Sequence, residues 1–293
     1  VAEYLCMDIG GTAIKFAKFS ESGERLTPVQ MVQTRLTKTE NFIMEAVLDI
    51  VAKNKVGISG VAVSSAGVVD TERGEISYAG YTIPGYTGTK IKERIEEAYQ
   101  LSCQVENDVN CAALGEFYLG GAKNFKSVLC LTIGTGIGGA FLADGKLLRG
   151  ASNRALEIGY MGVNGKHFQE LAATSELIRQ ASLVTGEVNL TGKSIMKRAL
   201  NGDSEIQKIV DVWICNLAAG LVNLIYVLNP EVIILGGGIM EQKTYFKPRI
   251  ETAVLDQLVS DSFNTAKIEF ATLGNEAGMV GALYHFLSRE GRV

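Results

Sequence analysis

Short apolar runs broken by glycine recur along this 293-residue chain. Residues 4–7 and 14–19 are apolar or alternating and flank Gly10-Gly11, which is the pattern of a strand, a tight hairpin and a second strand. Residues 40–53 place Phe42, Ile43, Ala46, Val47, Ile50 and Val51 at three-and-four spacing and predict an amphipathic helix. Residues 58–64 are small and almost wholly apolar, as in an interior strand covered on both faces. Further helices are expected at 90–99, from Asp108 onward, and at 168–184, 191–199, 204–228, 245–258 and 277–287, with strands at 103–105, 232–235 and 268–270. The stretch 78–88, rich in Gly, Tyr and Thr, reads as a loop whose aromatic and hydroxyl groups suit a sugar or simply a packed surface, and 152–165 reads as loop and short strand. Strands alternating with helices predict an α/β fold.

Residues 131–147 repeat the opening plan: apolar strand, Gly134-Thr135-Gly136, second strand, a polar glycine turn, third strand. Two such units predict a duplicated domain with two glycine hairpins facing one nucleotide across a cleft. Backbone N–H groups in such hairpins approach phosphate oxygens closely because no side chain intervenes. Asp8 ends the first strand, and a carboxylate beside phosphates repels them unless a cation intervenes, so Mg2+ at a nucleotide's terminal phosphates is the economical reading. An ordinary hairpin is the alternative for this motif on its own. Gly236-Gly237-Gly238 makes a third close-approach turn. The expected division is a smaller lobe, 1–107 with 279–293, and a larger lobe, 108–278.

A net charge of −4 with no long basic run gives no footing for nucleic acid. Five cysteines, with no C-x-x-C pair, predict small core residues in a reducing compartment, Cys6, Cys130 and Cys215 lying within apolar runs. The longest apolar stretch, 209–228, contains Asp211, Asn216 and Asn223, which favours a buried helix over a membrane span. The hairpin begins too early for a signal peptide ahead of it, and a cytoplasmic protein is expected.

Taken in order, D-x-G-G-T-x-x-K at 8–15, S-x-x-G at 64–67, E-N-D-x-N at 106–110, G-T-G-x-G-G at 134–139, E-I-G at 157–159, L-G-G-G-I at 235–239 and L-G-N-x-A-G at 273–278 resemble the ROK family of repressors and sugar kinases over nearly the whole chain. The resemblance implies a duplicated actin-like, ribonuclease-H-like fold and ATP-dependent phosphorylation of a sugar, with ATP and Mg2+ as cofactors. It implies Asp108 as general base, a residue whose plain structural reading is a helix N-cap. It places Asn107, Glu157, Glu170, Gly67 and Thr82 at the sugar; for Glu157 and Glu170 the alternative is a solvated surface charge. Asp8, Gly10, Gly11, Thr12, Lys15, Gly134, Thr135, Gly136, Gly237 and Gly238 fall at the nucleotide, Asp8 holding Mg2+ through water.

Departures from the family pattern are equally specific. Tyr160 occupies the position of a zinc-binding His, no cysteine lies between Cys130 and Cys215, and four-coordinate zinc cannot be assembled there. Leu156 replaces a small residue before Glu157, and Thr82 stands where relatives carry Asn. The zinc-free pattern is similar to β-glucoside kinases and N-acetylmannosamine kinases. The expected substrate is therefore a small sugar, through the 6-OH of a glucoside such as cellobiose or of a free hexose, with N-acetylmannosamine kinase or glucokinase activity as alternatives. A sugar-sensing regulator of the same family is disfavoured by the few residues ahead of Asp8, and a sugar-binding protein without catalysis by the retained Asp108. Relatives imply a homodimer, and no membrane partner is expected.

Overall fold

Strands rich in buried Leu, Ile and Val form two five-stranded sheets in the computed structural model, which describes residues 2–80 and 82–293. The chain divides into two compact units: Val1–Lys123 with Arg149–Ala155 and Asn275–Val293, and Asn124–Leu148 with Leu156–Gly274.

In the first unit the sheet comprises β1 (Glu3–Ile9), β2 (Ala13–Ser20), β3 (Gln30–Gln33), β4 (Ile58–Ser65) and, after a small ribbon of β5 (Val68–Asp70) and β6 (Glu75–Tyr78), β7 (Cys103–Asn107). Its order is β3-β2-β1-β4-β7, with β1 antiparallel to β2, β2 to β3, and β1, β4 and β7 mutually parallel. Fully buried Leu5, Met7, Val61 and Val63 explain the central strands, and the wholly exposed β3 makes an edge. Helices α1 (Ile43–Asn54) and α2 (Ile91–Tyr99) bury Ile43, Val47, Ile50, Ile91 and Ile95 in the same cluster. Helix α3 (Asp108–Tyr118) packs against the C-terminal helix α9 (Ala277–Arg289), which also covers β1, β4 and β7. That crossing is so close that a Cβ on Gly281 would stand 1.7 Å from the Cys111 carbonyl oxygen, and one on Gly115 2.5 Å from that of Ala277. The crossing binds α3 to the first unit, whereas the sequence pattern assigns everything from 108 to 278 to the other lobe.

The second unit repeats the topology. Strands β8 (Ser127–Ile133), β9 (Ile137–Ala143), β10 (Lys146–Leu147), β13 (Val232–Gly236) and β14 (Lys267–Phe270) run in the order β10-β9-β8-β13-β14, again with two antiparallel and two parallel pairings. The duplication read from the glycine hairpins therefore extends to the pairing of every principal strand. A small hairpin, β11 (Gly162–Val163) with β12 (Lys166–His167), and helices α4 (Gln169–Ala172), α5 (Thr174–Thr185), α6 (Gly192–Leu200), α7 (Ser204–Leu228) and α8 (Lys243–Leu255) complete it. α7 is long and apolar enough to cross a bilayer by length and composition, yet Ile206, Val210, Trp213, Leu217, Leu221 and Ile225 form one stripe in this unit's core.

Two expectations are corrected. The helix expected over 168–184 breaks at Ala173, which is extended (φ −70°, ψ 155°); its carbonyl accepts the Trp213 indole N–H at 3.0 Å, a tertiary bond that helical propensity does not encode. Cys215 is exposed on the outer face of α7, although the other four cysteines are buried as expected.

Candidate functional site

The first hairpin closes through Ile9 paired with Ile14 and Gly10 N–H donating to Ala13 O at 3.0 Å. Thr34 braces it, donating its hydroxyl to Gly10 O and its N–H to Thr12 O. Thr12 is exposed at the tip, and Gly11 lies under Ile83 of the 79–89 loop, an approach that leaves space for a Cβ only at 3.6 Å. Asp8, one residue before the end of β1, sits in register with Lys15 on β2 and Ser64 on β4. Ser64 donates its hydroxyl to Asp8 Oδ1 at 2.7 Å, and Lys15 Nζ is directed to Asn275 Oδ1 at 2.8 Å. Loss of hydration raises the Asp8 pKa against the opposing pull of Ser64 and Lys15.

β7 runs into α3 without a connecting loop. Asn107 is the N-cap, its Oδ1 accepting from Val109 N at 3.0 Å and Asn110 N at 3.1 Å, an arrangement that contributes about 1 kcal/mol to a helix. The cap thus belongs to Asn107, and Asp108 is the first helical residue. Asn107 Nδ2 donates to Gly67 O at 2.9 Å and to Asp108 Oδ1 at 2.8 Å, so all its polar capacity is engaged inside the protein. Gly67 needs its left-handed backbone (φ 95°) to present that carbonyl, since a Cβ would stand 2.8 Å from Tyr78 O. Asp108 Oδ1 also accepts from Val109 N at 2.9 Å. Burial foremost, then the Asp8 charge, raises the Asp108 carboxyl to about 7, against the lowering hydrogen bonds from Val109 and Asn107. The Asp8 charge reaches Asp108 strongly enough to raise its carboxyl, and carboxylates so placed are donor chemistry that a cation relieves.

One further group escaped sequence reasoning. Tyr86, fully buried, shares a hydrogen bond of 2.8 Å with Ser65 Oγ, and its phenol is pushed up by burial and also by the Asp108 charge. Thr82 is exposed in the same loop; Tyr81, within the expected 78–88 loop, lies outside the described residues.

In the second unit, Gly134 N–H donates to Gly136 O at 2.9 Å, and α5 fixes the hairpin from its start: Thr174 N–H donates to Gly134 O and Ser175 Oγ to Thr135 O. Because β13 pairs with β8 through Gly236 and Thr132, the triple-glycine turn arrives beside this hairpin. Gly237 (φ 113°) has no space for a side chain, its Cβ position lying 2.1 Å from Ile133 O. A cavity of about 450 Å³ opens next to Gly238, walled by Ile239, Gln242 and, from α6, Gly192, Met196 and Lys197, helix residues that no motif marked. Glu157 and Glu170 are both exposed; Glu170 Oε2 accepts from His167 N–H at 2.9 Å. Between them lies the β11–β12 hairpin, turned by Asn164 and Gly165 in left-handed conformations, with Tyr160 set edge-on to His167. Among the described residues no group of three or more His, Cys, Asp or Glu side chains is placed to hold a metal ion.

The ROK family model matches residues 4–289. A β-glucoside kinase of Listeria innocua is 34% identical, with 97% of each chain aligned. A ROK family protein of Streptococcus pneumoniae solved in complex with sucrose superposes with a TM-score of 0.87 at 30% identity, over 99% of this chain and 100% of that one. A ROK family glucokinase of Streptomyces griseus in complex with glucose and AMPPNP gives 0.81 at 26% identity, over 97% and 99%. With its actin-like fold and its motifs in place along both units, the chain belongs to the ROK family and stands among its sugar kinases.

Proposed function

We propose that this protein transfers the γ-phosphoryl group of ATP to a primary hydroxyl of a sugar, the 6-OH of a β-glucoside such as cellobiose or of a free hexose, with Asp108 as general base. The observation that carries the reading is the Asp108 carboxyl at the start of α3, raised to about 7 beside Asp8 of the glycine hairpin. A base poised near neutral pH accepts the hydroxyl proton as the oxygen attacks phosphorus. Val109 N–H and Asn107 Nδ2 both fall on Oδ1, and Oδ2 is the oxygen assigned to receive that proton.

In the first unit, the Gly11 and Thr12 amides and Lys15 receive phosphate oxygens, while Gly10, whose N–H closes the turn onto Ala13 O, shapes the hairpin at the nucleotide. Asp8 holds Mg2+ through water, the arrangement expected where one carboxylate and the substrate phosphates supply the ligands. Bound there, Mg2+ neutralises charge on the phosphates. In the second unit, Gly134, Thr135 and Gly136 take phosphate, and Gly237 and Gly238 flank the nucleoside in the cavity beside α6. In the first unit Gly67 and Thr82 are assigned to sugar hydroxyls, with Asn107 contacting one by exchanging a protein hydrogen bond for it; Glu157 and Glu170 of the second unit, taken by themselves, carry the same assignment. The expected assembly is a homodimer in the cytoplasm.

The aligned β-glucoside kinase is what supports putting a glucoside first, with N-acetylmannosamine and glucose as the alternatives. The test is ATP consumption with glucose, cellobiose, other β-glucosides and N-acetylmannosamine. Sugar-dependent turnover highest with a β-glucoside is the expected result; turnover only with N-acetylmannosamine would replace the substrate assignment, and none with any sugar would refute kinase activity on this class.

A further inference from the structure

Directly beneath the Asn107-Asp108 turn lies a carboxylate that the reaction itself does not use. Side chains alternate along β7, so Asn107 faces Gly67 and Glu106 faces the opposite side. Glu106 is 1% exposed. Its Oε1 accepts the Asn107 backbone N–H at 2.7 Å and Asn110 Nδ2 at 3.0 Å, spanning the first turn of α3 from below. Its Oε2 accepts from Arg149 Nη1 and lies 3.8 Å from His285 Nδ1 of α9. One carboxylate thus joins the end of β7, the first turn of α3 and the segment Arg149–Ala155, which belongs to the first unit although the chain on either side of it belongs to the second.

β7 becomes α3 with no intervening loop, and the side chain assigned as the base is the first helical residue. We infer that Glu106 and Arg149 are positioning residues for Asp108, the guanidinium holding Glu106 and Glu106 holding the turn from which Asn107 grips the base. This rests on the assignment of Asp108 as the base. A buried carboxylate stripped of its cation is strongly unfavourable and is expected to rearrange or take up a proton, releasing the Asn107 N–H and Asn110 amide that orient the turn. The nucleotide contacts assigned above are made by other residues, so the pair acts on turnover and leaves nucleotide binding alone.

The experiment compares kcat and the KM for ATP, at saturating sugar, in Arg149→Met, Arg149→Lys, Glu106→Gln and the double variant Glu106→Gln/Arg149→Met, with Asp108→Asn in parallel and folding followed by circular dichroism. Arg149→Met is expected to lower kcat of the folded protein at least about 10-fold with KM for ATP within about twofold of wild type, and Arg149→Lys, which keeps the cation, to recover to within about threefold. If Arg149→Met leaves Glu106 too costly to bury and the protein does not fold, the double variant carries the test, since it removes both charges of the pair and is expected to fold with kcat at least about 10-fold down. A double variant that is folded and turns over within about twofold of wild type overturns the positioning role, as does a loss of thermal stability with kcat unchanged. If Asp108→Asn itself turns over normally, the base assignment fails and this inference with it; if Asp108→Asn is inert while the double variant is normal, only the positioning pair falls.

Discussion

Gly278, in the first turn of α9, lies against the Asp8 carboxylate: a Cβ there would stand 2.9 Å from Oδ1 and 3.1 Å from Ser64 Oγ. The obstructing atoms are the ends of two short side chains, so Gly278→Ala can be accommodated by moving them. What moves is the carboxylate assigned to Mg2+. The expected outcome is a protein of near-normal thermal stability whose turnover falls about 10-fold or more, with a raised Mg2+ requirement, measured by titrating Mg2+ at fixed ATP. Unchanged Mg2+ dependence would separate Asp8 from the cation.

Activity should follow the ionisation of the carboxylate pair. As the proposed base, Asp108 has to be unprotonated to accept the hydroxyl proton, and its pKa is raised to about 7 by burial and by Asp8. The rate is therefore expected to climb about 10-fold per pH unit below 7 and level off above it. Flat kcat/KM from pH 5.5 to 8 would contradict this.

The same ionisation carries a stability cost of opposite sign. Between the ordinary Asp value of 3.8 and about 7 the folded protein holds a proton that the unfolded chain has released, so this residue's contribution to stability falls as pH rises through that window. Asp108→Asn is expected to stabilise the protein at pH 8 by on the order of 1–3 kcal/mol and to change little at pH 4, read from denaturant midpoints at both pH values.

His285 works in reverse. Its burial, opposed by Glu106 and reinforced by Arg149 and Arg289, lowers it to about 4, and its Nε2 has no hydrogen-bond partner among the described residues. Between 6.5 and 4 the unfolded chain binds a proton that the folded protein does not, so stability attached to this residue is full above 6.5 and drains away as pH falls. Replacing it by a side chain that does not titrate, in His285→Gln, is expected to flatten the loss between pH 6.5 and 4 by on the order of 1–3 kcal/mol in thermal or denaturant unfolding. An identical pH dependence in both proteins would place the acid sensitivity elsewhere.

What the sequence discloses is what lies close together along it. Two glycine hairpins, a strand ending in Asp8 and a small apolar β4 carry their own periodicity, and the matching pairing order of the two sheets follows from them. Asp108 was legible from its motif, but the division of labour beside it was not: Asn107 takes the cap because its amide can accept from two helix N–H groups while donating to Gly67 and Asp108. Glu106 and Arg149 meet across 43 positions, and no local pattern records such a pairing. The break at Ala173 was hidden for the same reason, its cause being an indole 40 positions away. Cys215 sits in a run too apolar throughout for periodicity to separate inner from outer positions.

One carboxylate, Asp108, carries the proposed chemistry. Turnover of Asp108→Asn, measured beside sugar affinity from equilibrium binding, tests it directly: turnover is expected to fall by about 10²–10⁴ with sugar affinity within a few-fold of wild type. Turnover within about threefold of wild type would show that the proton leaves by another route and that Asp108 is not the base.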